Sequence, residues 1–304
     1  MLRSTFLFLS NQTWLRHWME TSSASRRFTS RFIAGRTLDE ALRVARQLQS
    51  EHILATLDFL GENVTSLEEA SKSRDSYLTA LDGIQKQGLA ATVSIKATQF
   101  GLDLSEEVCA NNVSVLVSAA KSAGSRIEID MESSAYTDRT LRLVCNMHEK
   151  FGGCVRAVIQ AYLYRSEQDI RRLSEKSVPI RLCKGAYREP PNIAYQQKTD
   201  VDRNYIHLMK LLLQEGSYPG IASHDEQVVN ECLRFAAEKC ISPDCFEFQM
   251  LYGIRRDLQK RLTRDGFHLR LYVPYGDAWY PYFMRRLAER PANLLFIARN
   301  LLRG

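Results

Sequence analysis

From about residue 52 onward, short β-rich runs of apolar residues alternate with longer stretches that have room for a helix. Repeated βα units of this kind predict a parallel sheet. The predicted strands lie near 53–59, 91–96, 126–130, 155–160, 178–184, 220–223, 244–249 and 268–273. Eight units favour closure into a (βα)8 TIM-like barrel, which commonly needs about 250 residues. An open doubly wound sheet is the competing architecture.

Polar and apolar residues alternate within the predicted strands. Near 91–96, Val93 and Ile95 fall on one face, whereas Ser94 and Lys96 fall on the other. An antiparallel sheet with one face in water would show the same alternation, but the helix-length connections argue against it. In a barrel the polar face points inward, which is costly without a polar ligand or mutual pairing. A site is therefore predicted at the C-terminal mouth, above the inward-facing residues Lys96, Asp130, Gln160, Arg181 and Gln249.

The first part of the chain contains no good strand pattern. We interpret residues 1–50 as a helical N-terminal arm and residues 51–304 as the barrel domain. Thr37 is a suitable N-cap for a helix whose apolar residues recur at helical spacing. The apolar run at residues 5–9 is too short for a signal peptide, and no small-residue cleavage site follows it before Trp14.

The composition is ordinary for a globular protein, with 45% hydrophobic and 25% charged residues. The net charge of +6 is scattered among acidic residues, so no nucleic-acid partner is expected, and a weak attraction to an anionic membrane surface is a further expectation. No apolar run is long enough to span a membrane. The seven Cys include no CxxC pair, which indicates reduced thiols in a cytosolic protein.

Common nucleotide motifs are missing from the sequence. It contains neither GxGxxG nor GxxxxGK(S/T), so neither a Rossmann site nor a P-loop is predicted. His224-Asp225 is an adjacent pair of a histidine and a carboxylate at a predicted strand end, and no second His lies nearby in sequence, so no metal site is predicted. The place of His224 at a strand end makes it a candidate cofactor contact.

The segment from Tyr272 to Arg286 combines aromatic residues, a turn and a cationic helix. Asp277 is a suitable cap for a helix with Pro281 in its first turn. Four side chains share one face of this helix: Tyr282, Arg285, Arg286 and Glu289. A solvated face with an ion pair is the plainest interpretation. Paired guanidinium groups beside a barrel mouth would also suit a small carboxylate.

Several blocks of the chain together resemble the flavin-dependent proline dehydrogenase family. They are Val93-Ser-Ile-Lys96, Ile129-Asp-Met-Glu132, Gln160-Ala-Tyr-Leu-Tyr164, Arg181-Leu-Cys-Lys-Gly-Ala-Tyr187, Ser223-His-Asp225, Phe246-Glu-Phe-Gln-Met-Leu-Tyr-Gly253, Tyr272-Val-Pro-Tyr-Gly and the stretch from Tyr282 to Asn293. The blocks follow the family order over roughly residues 32–300. The short arm resembles the monofunctional bacterial type, and we expect no fused aldehyde dehydrogenase.

The resemblance implies a distorted (βα)8 barrel with non-covalent FAD. It implies oxidation of L-proline to Δ1-pyrroline-5-carboxylate, with hydride transfer to flavin N5 and electrons passed to quinone, as the first step of proline catabolism. It also implies a cytoplasmic enzyme, with peripheral contact at the inner face of the membrane as a further expectation.

The resemblance also implies roles for single residues. Lys96, Arg285 and Arg286 would bind the proline carboxylate, and Glu289 would orient an arginine. Tyr187, Leu251 and Tyr272 would pack around the proline ring, and Asp130 would organise the site. Arg181 would lie near the flavin N5 edge. The other cofactor contacts would be Asp130, Gln160, Lys184, Gly185, Ala186, Tyr187, Ser223, His224 and Gln249. The chain departs from the family pattern at Cys183, where Val is commoner, and at Ser223, where Thr is commoner.

Two other classes of protein remain open at this point. A Schiff-base aldolase or lyase on the same barrel would use Lys96 or Lys184, since each lies at a predicted strand end. A non-enzymatic, mostly helical interaction module is the other class, although the polar inward faces of several strands speak against it.

Overall fold

Eight parallel strands close into a barrel, because each strand pairs with the next and the last pairs with the first. The computed structural model describes residue 29, residues 31–61 and residues 64–289, with the backbone alone for residues 285–289. The strands are β1 (Leu54–Phe59), β2 (Ala91–Lys96), β3 (Ile127–Asp130), β4 (Val155–Gln160), β5 (Ile180–Cys183), β6 (Gly220–Ala222), β7 (Glu247–Leu251) and β8 (Leu269–Tyr275). The predicted barrel is confirmed, and the open-sheet alternative is wrong.

Helices connect the strands and form the outer layer. They are α1 (Leu38–Ser50), α2 (Leu67–Lys86), α3 (Glu106–Ser122), α4 (Thr137–Phe151), α5 (Ser166–Glu175), α6 (Lys198–Glu215), α7 (Glu226–Glu238), α8 (Arg256–Arg264) and α9 (Trp279–Glu289). Each predicted strand overlaps an observed one. The largest displacement is at β7, where a short 3₁₀ turn at Pro243–Cys245 occupies the start of the predicted run.

The helix α1 packs on the flank of β1 and β8. Its Thr37 cap is confirmed: the Thr37 hydroxyl accepts from the Glu40 N–H, and the Glu40 carboxylate reaches back to the Thr37 N–H. Ala41, Leu42 and Ala45 are buried in the same core as the barrel strands. The division of the chain at residue 50 stays a prediction, because residues 1–28 lie outside the described residues.

The helix α9 departs from a regular barrel helix. Its side chains Trp279, Phe283 and Met284 pack on Ile33 and Leu60 in a cluster separate from the main core. Leu60 directly follows β1, so this cluster lies at the C-terminal mouth of the barrel.

The predicted cap of α9 is wrong, because the helix begins two residues after Asp277. The Asp277 carboxylate instead accepts from Arg36 Nε at 2.7 Å. Asp277 therefore ties the turn after β8 to the segment that precedes α1.

We expect Gly253→Ala to destabilise the protein by about 2–4 kcal/mol. Gly253 has a φ of +77°, and a Cβ there would lie 1.6 Å from the Arg31 carbonyl oxygen, so the substitution adds a backbone clash to the strain. Gly266→Ala is the matched control, since Gly266 has a φ of +85° with nothing within 4 Å of its Cβ position. Thermal unfolding of both variants measures the difference. Equal losses of stability would contradict the clash.

Candidate active site

The lower part of the barrel interior is filled by charged side chains. Glu128, Arg156, Glu247 and Arg270 point inward from four strands, and none is more than 5% exposed. Arg156 Nη1 forms an ion pair with Glu247, and Arg270 Nε lies 2.8 Å from the same carboxylate. The Arg181, Arg156 and Arg270 cations offset the cost of burying Glu128 and hold the pKa of that carboxyl well below its usual range.

Arg181 on β5 connects this interior to the mouth. Its guanidinium donates to Glu128 below it, to Gln249 Oε1 at 2.6 Å and to Asp130 Oδ1 at 2.6 Å above it. The guanidinium carbon also lies 5.3 Å from the centre of the Tyr272 ring. Three acceptors and an aromatic face therefore fix its direction.

Four side chains from four strands meet at the mouth. Lys96 Nζ lies 3.3 Å from Asp58 Oδ1 and 3.6 Å from Asp130 Oδ2, and the Tyr272 hydroxyl donates to Asp130 Oδ2 at 2.8 Å. The parallel register explains one of these contacts, since Lys96 is the direct neighbour of Asp130. On the other side of Tyr272, Leu251 is its direct neighbour on β7.

Burial and charge shift the pKa values of these groups. Burial alone would lower the pKa of Lys96, but the carboxylates of Asp58 and Asp130 raise it above its usual value. Burial raises the pKa of Asp58 despite its Lys96 partner. The pKa of Tyr272 is raised by burial and by the nearby Asp130, so its phenol remains a protonated donor at neutral pH.

A second polar group lies at the ends of β4 to β7. Gln160 Nε2 donates to the Glu132 carbonyl at 2.8 Å, and its Oε1 accepts from the Ala186 N–H at 3.4 Å. Lys184 pairs with the carboxylates of Asp202 and Asp225.

His224 and Ser223 complete this second group. His224 Nε2 accepts from the Leu251 N–H at 2.8 Å, which requires its proton on Nδ1. The Ser223 hydroxyl accepts from the Asp225 N–H at 3.1 Å. Gln160, Ser223 and His224 are thus fixed at the mouth by backbone groups, whereas Lys184 is held by two carboxylates.

In the loop after β5, the backbone of Gly185 lies close to the Tyr162 ring. Gly185 has a φ of +115°, and a Cβ there would lie 2.2 Å from the Tyr162 ring, so the position requires glycine. Tyr187 follows two residues later and is exposed. Cys183 precedes this loop, and burial raises the pKa of its thiol to about 12. The Cys183 thiol is therefore protonated and suited to packing rather than to nucleophilic attack.

The remaining predicted site residues have undescribed side chains. Arg285, Arg286 and Glu289 lie on α9, but the structure describes their backbone alone. The helix begins at the mouth, in the cluster with Leu60. The carboxylate clamp therefore stays a prediction.

Sequence reasoning missed Asp58 at the mouth and Arg156 in the interior. Both alternate with apolar residues inside predicted strands, as Asp58 does between Leu57 and Phe59. The period-two rule would have found both residues if it had been applied to every strand. Within the described residues, no group of three or more His, Cys, Asp or Glu side chains is arranged to hold a metal ion.

The fold and the site define a (βα)8-barrel enzyme whose polar mouth is built from the ends of several strands. The proline dehydrogenase family model matches residues 41–299, and the chain belongs to that family. It is therefore a proline dehydrogenase, which oxidises proline in proline catabolism.

Relatives of known name agree with this assignment. The chain is 38% identical over 303 residues to proline dehydrogenase 1 of Bacillus subtilis, with 100% of both chains covered. It is 38% identical over 278 residues to proline dehydrogenase of Deinococcus radiodurans, with 90% of each covered. The solved structure of proline utilization A from Bdellovibrio bacteriovorus, inactivated by N-propargylglycine, matches with a TM-score of 0.81 at 26% identity. That match covers 86% of this chain and 32% of the longer protein.

Proposed function

We propose that the enzyme binds FAD non-covalently, oxidises L-proline to Δ1-pyrroline-5-carboxylate and passes the electrons to a quinone. The observation that carries this proposal is the meeting of Lys96, Asp130, Arg181 and Tyr272 at the barrel mouth. Cations, a phenol and a carboxylate are gathered there from separate strands. Such a set suits a small amino acid that must be held against a planar cofactor.

The residues at the ends of β4 to β7 fit a flavin dinucleotide. Lys184 and Arg181 offer cationic donors, and Gln160, Ser223 and His224 offer neutral polar contacts. The backbone of Gly185 lies against the Tyr162 ring, which fixes the course of the loop after β5 beside these residues. We assign FAD binding to these residues together with Asp130, Ala186, Tyr187 and Gln249. FAD would supply the hydride acceptor, N5.

The proline-binding residues would act by orientation. Lys96 presents an ammonium group from the end of β2, and Arg285 and Arg286 would complete a carboxylate clamp from α9, with Glu289 orienting one of them. Leu251 and Tyr272 lie side by side on β7 and β8 and would pack on the ring with Tyr187. Asp130 holds Lys96, Arg181 and Tyr272 in one arrangement.

The proposed quinone acceptor suggests that the enzyme acts near a membrane. Within the described residues, no helix is both long and apolar enough to cross a bilayer. A lipid quinone would require contact with the membrane surface, which the net charge of +6 would favour. We propose a cytoplasmic enzyme that reaches its quinone by peripheral contact, with residues 51–304 as the catalytic domain.

The Schiff-base alternative fits the site poorly. A lysine nucleophile needs a lowered pKa. The carboxylates of Asp58 and Asp130 instead raise the pKa of Lys96. Lys184 is held in ion pairs with the carboxylates of Asp202 and Asp225, so its side-chain nitrogen is already engaged.

The flavin spectrum tests the proposed function directly. Purified protein should be yellow, and L-proline added without oxygen should bleach its visible absorption. D-proline at the same concentration serves as the control for stereochemistry. A colourless protein that takes up no FAD would contradict the proposal.

We expect Arg286→Lys to lower kcat/KM for proline at least about tenfold, or about 1.4 kcal/mol, because the forked donor is lost while the charge is kept. Steady-state turnover with a dye acceptor measures the effect. Arg264→Lys is the matched control, since Arg264 is exposed and pairs with Asp265 on the outer surface. An unchanged kcat/KM in Arg286→Lys would remove this arginine from the clamp.

We also expect a ring carboxylate that lacks a transferable hydride to compete with proline. The clamp recognises the carboxylate, which such an analogue retains, so KM should rise with analogue concentration while kcat stays constant. The matching ring ether without a carboxylate should inhibit at least about thirtyfold more weakly, since its charge-assisted contacts are missing. Equal inhibition by the two compounds would show that the carboxylate is not the anchor.

A further inference from the structure

A closed ring of side chains lies beneath Arg181 in the barrel interior. Arg181 donates from Nη2 to Glu128 and from Nε to Gln249 Oε1. The Gln249 amide donates in turn to Glu247 Oε1 at 2.7 Å. Arg156 pairs with the same Glu247 oxygen and lies 3.6 Å from Glu128 Oε1. The direction of the Arg181 guanidinium therefore depends on Glu247 and Arg156, which lie deeper in the barrel than Arg181 does.

Fold stability is a weak reason for such a ring. Buried charges lose their hydration, and well-packed apolar side chains of similar volume are often at least as stabilising. Glu128 and Arg156 are fully buried, and their described hydrogen bonds and ion pairs go to residues other than those that we assign to proline. Arg181 is the one member that also contacts Asp130 at the mouth. The ring therefore reaches the proposed cofactor site through Arg181 and Gln249, and Arg181 is its charged contact.

We infer that Glu128 and Arg156 are positioning residues for the reaction, which hold the Arg181 guanidinium and set the electrostatic potential at the flavin. This inference rests on the proposed function, in which Arg181 lies near flavin N5. Glu128 offsets part of the Arg181 charge, and Arg156 offsets part of the Glu128 charge. The two residues therefore have opposite effects on an anionic reduced flavin, because interactions are strong in an interior that excludes water.

The midpoint potential of the FAD-loaded enzyme tests the inference. Glu128→Gln removes a negative charge, so at fixed potential the ratio of reduced to oxidised flavin should rise about tenfold, or ~30 mV for a two-electron couple. Arg156→Met removes a positive charge, and the ratio should fall about tenfold. The exposed Glu68→Gln is the control and should leave the ratio unchanged. Opposite shifts in the two interior variants support the inference.

A purely structural role gives a different pattern. Loss of order alone would lower the melting temperature in both interior variants and shift the potential in one shared direction or not at all, and this result overturns the inference. If either variant fails to fold, Thr56→Val takes its place. Thr56 Oγ1 donates to Glu128 Oε1 at 3.1 Å, so its isosteric loss leaves that carboxylate more negative. The ratio should fall about threefold, and an unchanged ratio overturns the inference.

Arg181→Met separates this inference from the proposed function. If the flavin lies beside Arg181, removal of the cation should lower the ratio of reduced to oxidised flavin about tenfold or more. An unchanged ratio would overturn both the placement of the flavin and the inference. If Arg181→Met lowers the ratio of reduced to oxidised flavin, but Glu128→Gln and Arg156→Met shift it in the same direction as each other, the positioning role is overturned and the placement of the flavin stands.

Discussion

Arg181→Met is expected to lower the rate of flavin reduction by proline at least about a hundredfold, which is typical for the loss of one preorganised donor at a reacting centre. The Arg181 guanidinium is fixed by Glu128, Gln249 and Asp130, so its charge requires no reorganisation during the reaction. Anaerobic stopped-flow mixing with proline measures the rate, and titration with FAD measures cofactor retention.

Arg181→Lys is the matched comparison for Arg181→Met. Lysine keeps the charge but cannot donate to three acceptors in one plane, so an intermediate loss of about tenfold is expected. Arg181→Met removes a cationic partner of Glu128 and Arg181→Lys weakens that contact, so a drop in melting temperature is expected in both. Flavin reduction at the wild-type rate in a well-folded, FAD-loaded Arg181→Met would exclude Arg181 from the reaction.

Much of the barrel could be predicted because its strands follow a simple period. Parallel strands with one inward polar face give the alternation seen in Val93-Ser-Ile-Lys96, and helix-length connections exclude an antiparallel sheet. Side chains at the ends of such strands must meet at the mouth, so Lys96, Asp130 and Arg181 could be placed together before any contact was known.

The contacts inside the barrel could not be predicted in the same way. Glu128 and Arg156 are register neighbours on β3 and β4, but Arg156 and Glu247 pair across the interior from strands 91 residues apart. Such a pair forms only when the barrel closes, and the periodicity along one strand carries no information about that closure. The place of α9 is similar, because its packing on Ile33 and Leu60 depends on the segments before and after β1.

Lys96→Met should weaken binding of a proline-like carboxylate about a hundredfold, or about 2.7 kcal/mol. At the mouth, Lys96 Nζ lies between the carboxylates of Asp58 and Asp130. Loss of its charge leaves these two carboxylates, which repel an anion. The dissociation constant of a ring carboxylate analogue, measured by flavin spectral change, reports this step without turnover. Lys72→Met is the matched control, because Lys72 is 71% exposed and pairs with Glu68 on the outer helix α2. Retention of wild-type affinity by Lys96→Met would assign the carboxylate to the arginines of α9 alone.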